Sequence, residues 1–167
     1  SSNPTLINVD VIQNYAATGA GIRLHYSNAI FTNVIVKDNI ADGGGGGIMM
    51  YLSDPILTQV TINDNHSGKD IGDYSWDGSI SQYGYAGRGA GLWIEHSNPI
   101  IHQVLVKGNI STHYAGGIHF DNSNAILSHV TITENVAEDD QGWNYSDAMT
   151  IDPGAQYNII PSITNSI

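Results

Sequence analysis

Three acidic residues end three similar apolar segments, and they are the groups in this chain best suited to chemistry. Glu95 ends Leu-Trp-Ile-Glu, Asp121 ends Ile-His-Phe-Asp and Asp152 ends Met-Thr-Ile-Asp. Carboxylates brought side by side repel one another at neutral pH, so they need a cation, raised pKa values or ample solvent. Each of these conditions implies a different role for the three acids: a calcium site, the acid and base pair of a glycosidase, or ordinary solvated surface acids. The sequence leaves all three open.

A second group of candidate residues lies in residues 66–88, which read HSGKDIGDYSWDGSISQYGYAGR. Aromatic rings beside aspartates are what a carbohydrate-binding surface requires, because the rings pack on the sugar and the acids accept hydrogen bonds from its hydroxyls. The alternative is a loop that buries these rings against the wall of the protein. The candidate ligand-binding residues are Trp76 and Tyr85 in this segment, and Trp93 and His119 in two of the apolar segments.

The elements that position these residues are internal repeats, which set the period of the whole fold. Ser-Asn-Pro or a close variant recurs with starts 25, 26, 44 and 26 residues apart, at Ser2, Ser27, Ser53, Ser97 and Ser123. An asparagine stands twelve residues after each serine, at Asn14, Asn39, Asn65, Asn109 and Asn135. A glycine followed by an apolar residue recurs before the later serines, and the glycine run at residues 43–47 belongs to this column. That run is therefore predicted to be a turn and not a flexible linker.

Each repeat contains short segments with the period-two alternation and β-branched residues typical of strands. We predict three strands per repeat: one after the Ser-Asn-Pro turn, one holding a Val-x-Val-like triplet, and one after the glycine. A repeat of this size cannot bury its own apolar face, whereas stacked coils bury it against neighbours about 4.8 Å away. The sequence therefore predicts an all-β parallel solenoid of about five to six coils.

The asparagine column supports this fold over helical repeats. Asparagine tolerates the left-handed backbone of a sharp turn, and its amide can bond the next asparagine of a stack. We expect the five asparagines to face inward in one turn as an asparagine ladder. The glycines are expected where φ is positive or where the incoming loop closely approaches the strand.

The glycine elements also carry a resemblance to known proteins, for example in Gly46-Gly47-Ile48 and Gly116-Gly117-Ile118. With the asparagine column, they resemble the right-handed parallel β-helix of the pectate-lyase-like superfamily. They resemble more closely the bacterial cell-surface repeats of the polymorphic outer-membrane-protein type. The resemblance implies a right-handed β-helix. It implies no catalytic residues, because no catalytic motif of the superfamily stands in this chain.

Composition limits the class of protein and its partners. The 167 residues are 41% hydrophobic and have a formal charge of −11, which argues against nucleic acid or an anionic membrane as a partner. The chain has no cysteine, hence no disulfide, and no apolar run long enough to cross a bilayer. Both termini fit inside the repeat pattern, so we expect one β-helix domain over residues 1–167 that is a fragment of a longer solenoid. The alternative is a unit that stacks end to end.

Two insertions interrupt the repeat, at residues 66–88 and 136–147. Both precede the strand that follows the glycine, so we expect them to flank one face of the solenoid. The outward residues of that strand should form two columns on this face. The first column is Arg23, Met49, Trp93, His119 and Thr150. The second is His25, Tyr51, Glu95, Asp121 and Asp152.

Two classes of function fit these features. The first is a bacterial-type extracellular or cell-surface solenoid, structural or adhesive, that binds a glycan or a surface protein weakly without catalysis. The only cofactor considered is calcium, held by Glu95, Asp121 and Asp152. The second class is a secreted polysaccharide lyase or glycoside hydrolase that uses the same acids, with Trp93 as a stacking platform.

The presence of a basic residue would distinguish these classes, because a lyase needs such a residue to take a proton from its substrate. The predicted face offers only Arg23 and a neutral His119, which favours the non-catalytic class. A filament subunit that self-associates end to end is a further alternative.

Overall fold

The structure is a computed structural model that describes residues 2–68, 87–138, 147–152 and 162–164. The chain winds into a right-handed parallel β-helix, which confirms the predicted fold class. Among the described residues there is no helix of the length and apolarity needed to span a membrane.

The strands are numbered in chain order. They are β1 (Thr5–Ile12), β2 (Tyr15–Ala16), β3 (Ile22–His25), β4 (Ile30–Lys37), β5 (Ile40–Ala41), β6 (Ile48–Tyr51), β7 (Ile56–Asn63), β8 (His66–Ser67), β9 (Leu92–Glu95), β10 (Ile100–His102), β11 (Leu105–Lys107), β12 (Ile110–Ser111), β13 (Ile118–Asp121), β14 (Ile126–Ser128), β15 (Thr131–Thr133), β16 (Val136–Ala137), β17 (Met149–Asp152) and β18 (Ser162–Thr164).

Three parallel sheets form the walls of the solenoid, and the chain visits them in the same order in each coil. The first sheet has the order β1-β4-β7-β10-β14-β18, with β11 and β15 continuing β10 and β14 in their coils. The second sheet has the order β2-β5-β8-β12-β16, and the third has the order β3-β6-β9-β13-β17. Most strand residues of the inner coils therefore have a register partner in the coil above and another in the coil below.

The three predicted strands of the repeat are present, but the pattern missed a fourth, short strand. The first two predicted strands are separate in the later coils, as β10 with β11 and β14 with β15, and they are continuous in β1, β4 and β7. The segment after the Ser-Asn-Pro turn and the Val-x-Val segment belong to one sheet. In β4 they pair with β7 on both sides of Asn33, where the backbone φ is 53°. The second sheet comes instead from two-residue strands directly after each ladder asparagine, such as β5. Two residues are too few to show a period, so the pattern could not reveal them.

The core runs along the axis of the solenoid between the walls. Alternate residues of the first and third sheets point inward, as the period-two pattern predicts. Burial of each large apolar side chain stabilises the fold by about 1.5–3 kcal/mol. The largest fully buried inward side chains are Phe31, Ile48, Met50, Leu57, Ile62, Leu92, Ile94, Ile101, Ile118, Phe120 and Leu127.

The asparagine ladder is present and continuous across five coils. The side-chain amide of each asparagine donates to the Oδ1 of the next, over 2.8–3.0 Å, in the order Asn14, Asn39, Asn65, Asn109 and Asn135. Each Oδ1 beyond Asn14 also accepts a bond from the backbone N–H of the preceding ladder asparagine. The second amide hydrogen goes to a backbone carbonyl, such as that of Val36 for Asn65. The ladder thus provides hydrogen-bond partners for side-chain amides whose burial without partners would destabilise the fold.

The left-handed backbone of this turn does not lie at the asparagines, as the sequence argument expected. It lies one residue earlier, where φ is 54–64°, at Gln13, Asp38, Asp64, Gly108 and Glu134. The ladder asparagine can then point inward while the outward residue before it takes the strained conformation.

A second ladder, of serines, was not predicted as a bonded feature. Four of the serines that mark the repeat starts are buried, and the backbone N–H groups of Ser27, Ser53 and Ser97 each donate to the Oγ of the next serine over 3.0 Å. Ser53, for example, accepts from Ser27 and donates its hydroxyl to the Tyr51 carbonyl at 2.9 Å. The Ser-Asn-Pro repeat therefore encodes hydrogen bonding between coils as well as a turn.

Candidate functional site

The third sheet carries the residues that the sequence singled out. The strand register places the two expected columns on its outward face, with Trp93 beside His119 and Glu95 beside Asp121. Asp121 in turn pairs with Asp152 on the next coil. The three acids therefore occupy successive coils, as predicted.

The central part of the first column is outward but buried, which corrects the expectation of an open strand face, whereas Arg23 at one end is exposed. Met49 and Trp93 are each only 2% exposed, and His119 is fully buried. The turn before β6, in the neighbouring coil, covers Trp93: a Cβ added to Gly44 would lie 2.5 Å from Cε3 of Trp93. Trp93 therefore cannot serve as an open stacking platform in this conformation. Trp76 and Tyr85, the other predicted ligand-binding aromatics, lie outside the described residues.

A cluster around Arg88 closes over this column, and the sequence argument did not anticipate it. Arg88 Nη1 lies 3.2 Å from Asp121 Oδ2, and both side chains are largely buried. The guanidinium carbon is 4.7 Å from the ring centre of Tyr114 and 6.0 Å from that of Trp93. A planar cation that pairs with a carboxylate while packing on aromatic faces is a role that lysine cannot fill in the same way. We call Arg88, Trp93, Tyr114, His119 and Asp121 the Arg88 cluster.

The described ends of both insertions lie at one corner, between the second and third sheets. The first insertion leaves after β8 and returns through Arg88 to β9. The second leaves after β16 and returns through Asp147, whose backbone carbonyl accepts from Gly117 N–H at 2.9 Å. The only sequence signal for the Arg88 cluster was that Arg88 ends an insertion entering the candidate strand.

His119 is an unusual member of the cluster. Within the described part of the chain, neither of its ring nitrogens has a hydrogen-bond partner, and its ring centre is 5.1 Å from that of Tyr114. Burial, with the nearby Arg88 charge, lowers the pKa of His119 to about 3. The imidazole is thus neutral over the physiological range, and its inaccessible nitrogens are poorly placed for proton transfer to a ligand.

Replacing His119 by leucine should leave the folded protein at least as stable, because two unpaired buried nitrogens are removed. In the wild type the unfolded chain takes up a proton below about pH 6.5, whereas folded His119 resists it until about pH 3. Stability is therefore lost as the pH falls through this window. In urea unfolding, the free energy of unfolding of His119→Leu relative to that of the wild type should increase as the pH is lowered.

The control variant is His129→Leu. It removes one exposed imidazole and so shows the effect of losing a histidine at the surface. A His119→Leu protein that is destabilised equally at neutral and acid pH would mean that the His119 nitrogens have partners in solution.

Two acids of the second column, Glu95 and Asp121, have raised pKa values. Burial, with repulsion from Asp121, raises the pKa of Glu95. Burial likewise raises the pKa of Asp121, although the Arg88 charge opposes this shift. No group of three His, Asp or Glu side chains within the described ranges converges closely enough to hold a metal ion. The calcium site at Glu95, Asp121 and Asp152 therefore stays a prediction without geometric support.

An aromatic strip lies beside these acids, at the edge of the third sheet. Its ring centres follow one another along the coils: His25 lies 4.6 Å from Tyr26 and 5.2 Å from Tyr51, and Tyr51 lies 6.0 Å from His96. Asn122 continues the strip, with its amide 2.7 Å from His96 Nδ1. We call His25, Tyr26, Tyr51 and His96 the aromatic strip.

Two members of the aromatic strip have a positive backbone φ, a conformation that other residue types adopt more easily. Tyr26 and His96 have φ values of 51° and 47°, the left-handed region favoured by glycine and asparagine. Asn122 takes the same position in a later coil. This column stands one residue before each repeat serine, so the periodicity could have located it, but not its conformation.

The candidate site thus has two parts, the Arg88 cluster and the aromatic strip, which differ in how accessible they are to a ligand. The Arg88 cluster is closed and internally paired, whereas the aromatic strip is open and carries ring faces and imidazoles beside two partly buried carboxyls. No protein-family profile matches the chain, and no curated protein is detectably similar to it in sequence. Function must therefore be inferred from the geometry of these residues.

Proposed function

We propose that the protein is a non-catalytic β-solenoid of structural or adhesive type that binds a glycan strand weakly along the aromatic strip. The observation that carries this proposal is the spacing of the strip. His25, Tyr51 and His96 give one ring on each of three successive coils, with centres 5.2 and 6.0 Å apart, and Tyr26 lies beside His25 in the first of these coils. This step is close to the length of one pyranose ring, so an extended chain of sugars can present one sugar to each coil.

Exposure supports a binding role for the strip. Tyr26 is 57% exposed, so its ring is not needed for core packing. Its positive φ belongs to the turn, because Leu52, His96 and Asn122 have the same conformation at the equivalent position of later coils. What supports recognition is therefore the aromatic face that Tyr26 presents to solvent.

The nature of the ligand follows from charge. The chain has a formal charge of −11, and Glu95 and Asp121 border the strip with carboxyls that are partly buried. These oxygens accept hydrogen bonds from sugar hydroxyls or amines, whereas a polyuronate would be repelled. We therefore propose a neutral or amine-bearing glycan, with calcium needed only if the ligand is acidic.

The cellular setting is proposed from the sequence resemblance and the fold. Regular coils joined by buried asparagine and serine ladders make a rigid rod, which suits a cell-surface protein that displays a binding face at a distance. The resemblance to repeats of the polymorphic outer-membrane-protein type supports an extracellular, bacterial-type location.

The binding proposal predicts that Tyr26→Asn separates stability from function. The variant should be as stable as the wild type or slightly more stable, because asparagine tolerates positive φ. Its affinity for neutral oligosaccharides should fall about tenfold, the equivalent of about 1.4 kcal/mol, as expected for losing one aromatic contact. Titration calorimetry with a neutral oligosaccharide series and thermal unfolding measure the two effects.

The matched control is Leu52→Asn, in the same column with a φ of 47° but without an aromatic ring. It should show the same gain in stability and little change in affinity. Failure of the wild type to bind any neutral or amine-bearing oligosaccharide would overturn the proposal, as would unchanged binding by Tyr26→Asn.

A polysaccharide-cleaving enzyme is the second candidate, and one observation favours it. Arg88 supplies the basic residue that the sequence argument missed, and it lies beside acids whose pKa values are raised. A raised pKa would suit a general acid at neutral pH. Release of reducing ends from any polysaccharide, abolished in Asp121→Asn, would favour the enzyme over the binding protein.

A further inference from the structure

Two histidines meet on the wall formed by the first sheet, on a different wall from the aromatic strip. His102 is the last residue of β10, and His129 directly follows β14, the partner of β10 in the next coil. Their ring centres are 5.3 Å apart, and the rings are inclined at 82° to each other, so they do not stack face to face. We call His102 and His129 the histidine pair. The fold thus brings imidazoles from two successive coils close together.

A hydrogen bond orients one ring of the pair. His102 Nδ1 lies 2.8 Å from the hydroxyl oxygen of Ser128, its register partner in the next coil. When Nδ1 carries the proton and donates it to this oxygen, the lone pair of Nε2 is left for another ligand. Histidines that bind metal ions commonly donate their other ring N–H to an oxygen in this way, which holds the ring in position.

The surroundings of the histidine pair suit a hydrated cation. The register partners of His102 are Thr58 and Ser128, which are both small, and His129 is exposed, so its ring can turn a nitrogen toward an ion. The residues adjoining either histidine in sequence include no lysine or arginine. The chain has a formal charge of −11, and this negative charge attracts cations to the surface.

We propose that the histidine pair binds one zinc ion, which joins two successive coils from the outside. Because a Zn–N bond is about 2.0–2.1 Å long, each ring centre lies about 3.2 Å from the ion, and a tetrahedral angle places the two centres about 5.2 Å apart. The observed separation of 5.3 Å agrees with this value. Two adjacent positions of a square-planar ion such as Cu²⁺ would bring the centres to about 4.5 Å. The geometry therefore favours zinc.

The remaining coordination positions of the ion belong to solvent. Within the described ranges, no third His, Asp or Glu side chain joins the pair. Water therefore completes the tetrahedron, which an exposed position on the outer wall allows. With only two protein ligands, the affinity for zinc depends on both imidazoles and on the orientation of His102.

Zinc titration of the full chain tests the site. Isothermal titration calorimetry of the metal-free wild type should show one zinc ion bound per chain. Ser128→Ala keeps both ligands and removes only the orienting hydroxyl, so it should weaken binding by about tenfold. His102→Gln and His129→Gln each remove a ligand and should weaken binding by more than about tenfold, since loss of an orienting partner alone costs about 10–100-fold.

The matched control is His113→Gln, which should bind zinc as the wild type does. His113 is a half-buried histidine after β12, and its Nδ1 also lies close to a hydroxyl, at 3.1 Å from Thr112 Oγ1. NMR gives a second measurement, because zinc should shift the imidazole nitrogen resonances of both His102 and His129. Equal zinc affinity of His102→Gln, His129→Gln and His113→Gln would refute the proposal, as would shifts confined to one member of the pair or a wild type that binds no zinc.

Discussion

Gly47→Ala is expected to destabilise the protein by about 3 kcal/mol or more, the largest effect among the changes considered. An added Cβ would lie 2.6 Å from the carbonyl oxygen of Gly91, 2.9 Å from Cγ2 of Ile62 and 3.1 Å from Nδ2 of Asn65. The Gly91 oxygen cannot yield easily, because it accepts the Ile48 N–H at 2.9 Å in the adjoining coil. Urea unfolding followed by circular dichroism measures the loss.

The control for this substitution is Gly108→Asn. Gly108 has a φ of 64°, but the equivalent positions of other coils hold Gln13, Asp38, Asp64 and Glu134 at similar angles. Its added Cβ would meet chiefly the carboxylate end of Asp64, a side chain that can move. The control should cost less than about 1 kcal/mol. Equal effects at both positions would show that close packing of the coil does not explain the requirement for Gly47.

Asn65→Ala should cost about 3 kcal/mol, because it breaks four buried hydrogen bonds at the centre of the ladder. The amide of Asn65 donates to the Val36 carbonyl and to Asn109 Oδ1, and its Oδ1 accepts the backbone and side-chain N–H groups of Asn39. Asn39 is fully buried, so water cannot replace the lost acceptor. The free energy of unfolding of the purified variant measures the effect.

Two further variants show whether the ladder is responsible. Asn14→Ala, at the exposed end of the ladder, should cost well under half as much. Asn65→Asp keeps the acceptor oxygen but places a second oxygen against Asn109 Oδ1 and the Val36 carbonyl. It should therefore be at least as damaging as Asn65→Ala at neutral pH. A mild effect of Asn65→Asp would mean that the donated bonds contribute little.

The solenoid could be predicted from the chain because its restraints repeat. Asparagines at a fixed offset from serines, and alternating β-branched segments between them, have one shared explanation in stacked coils. The same periodicity alone predicts that Glu95, Asp121 and Asp152 lie on successive coils. Register in a parallel solenoid follows from repeat length alone, so an alignment of the repeats is already a map of neighbours.

Other features of the structure could not be predicted from the repeat pattern. The two-residue strands such as β5 and the shift of positive φ to the residue before each ladder asparagine depend on how the coil bends, which the residue types do not specify. Trp93 and His119 occupy outward positions, and alternation alone predicts that outward residues are exposed. They are buried because Gly44, from the turn of a neighbouring coil, and Arg88, from the insertion that leads into β9, close over them.

The sequence by itself thus determined the period, the fold class and the columns, since these follow from short-range patterns copied once per coil. Only the tertiary structure decided which outward columns are covered and which stay open, because that depends on contacts between turns that do not repeat. Arg88 is the clearest case. It ends the longer of the two insertions, and its pairing with Asp121 across 33 residues is visible only once the coils are stacked.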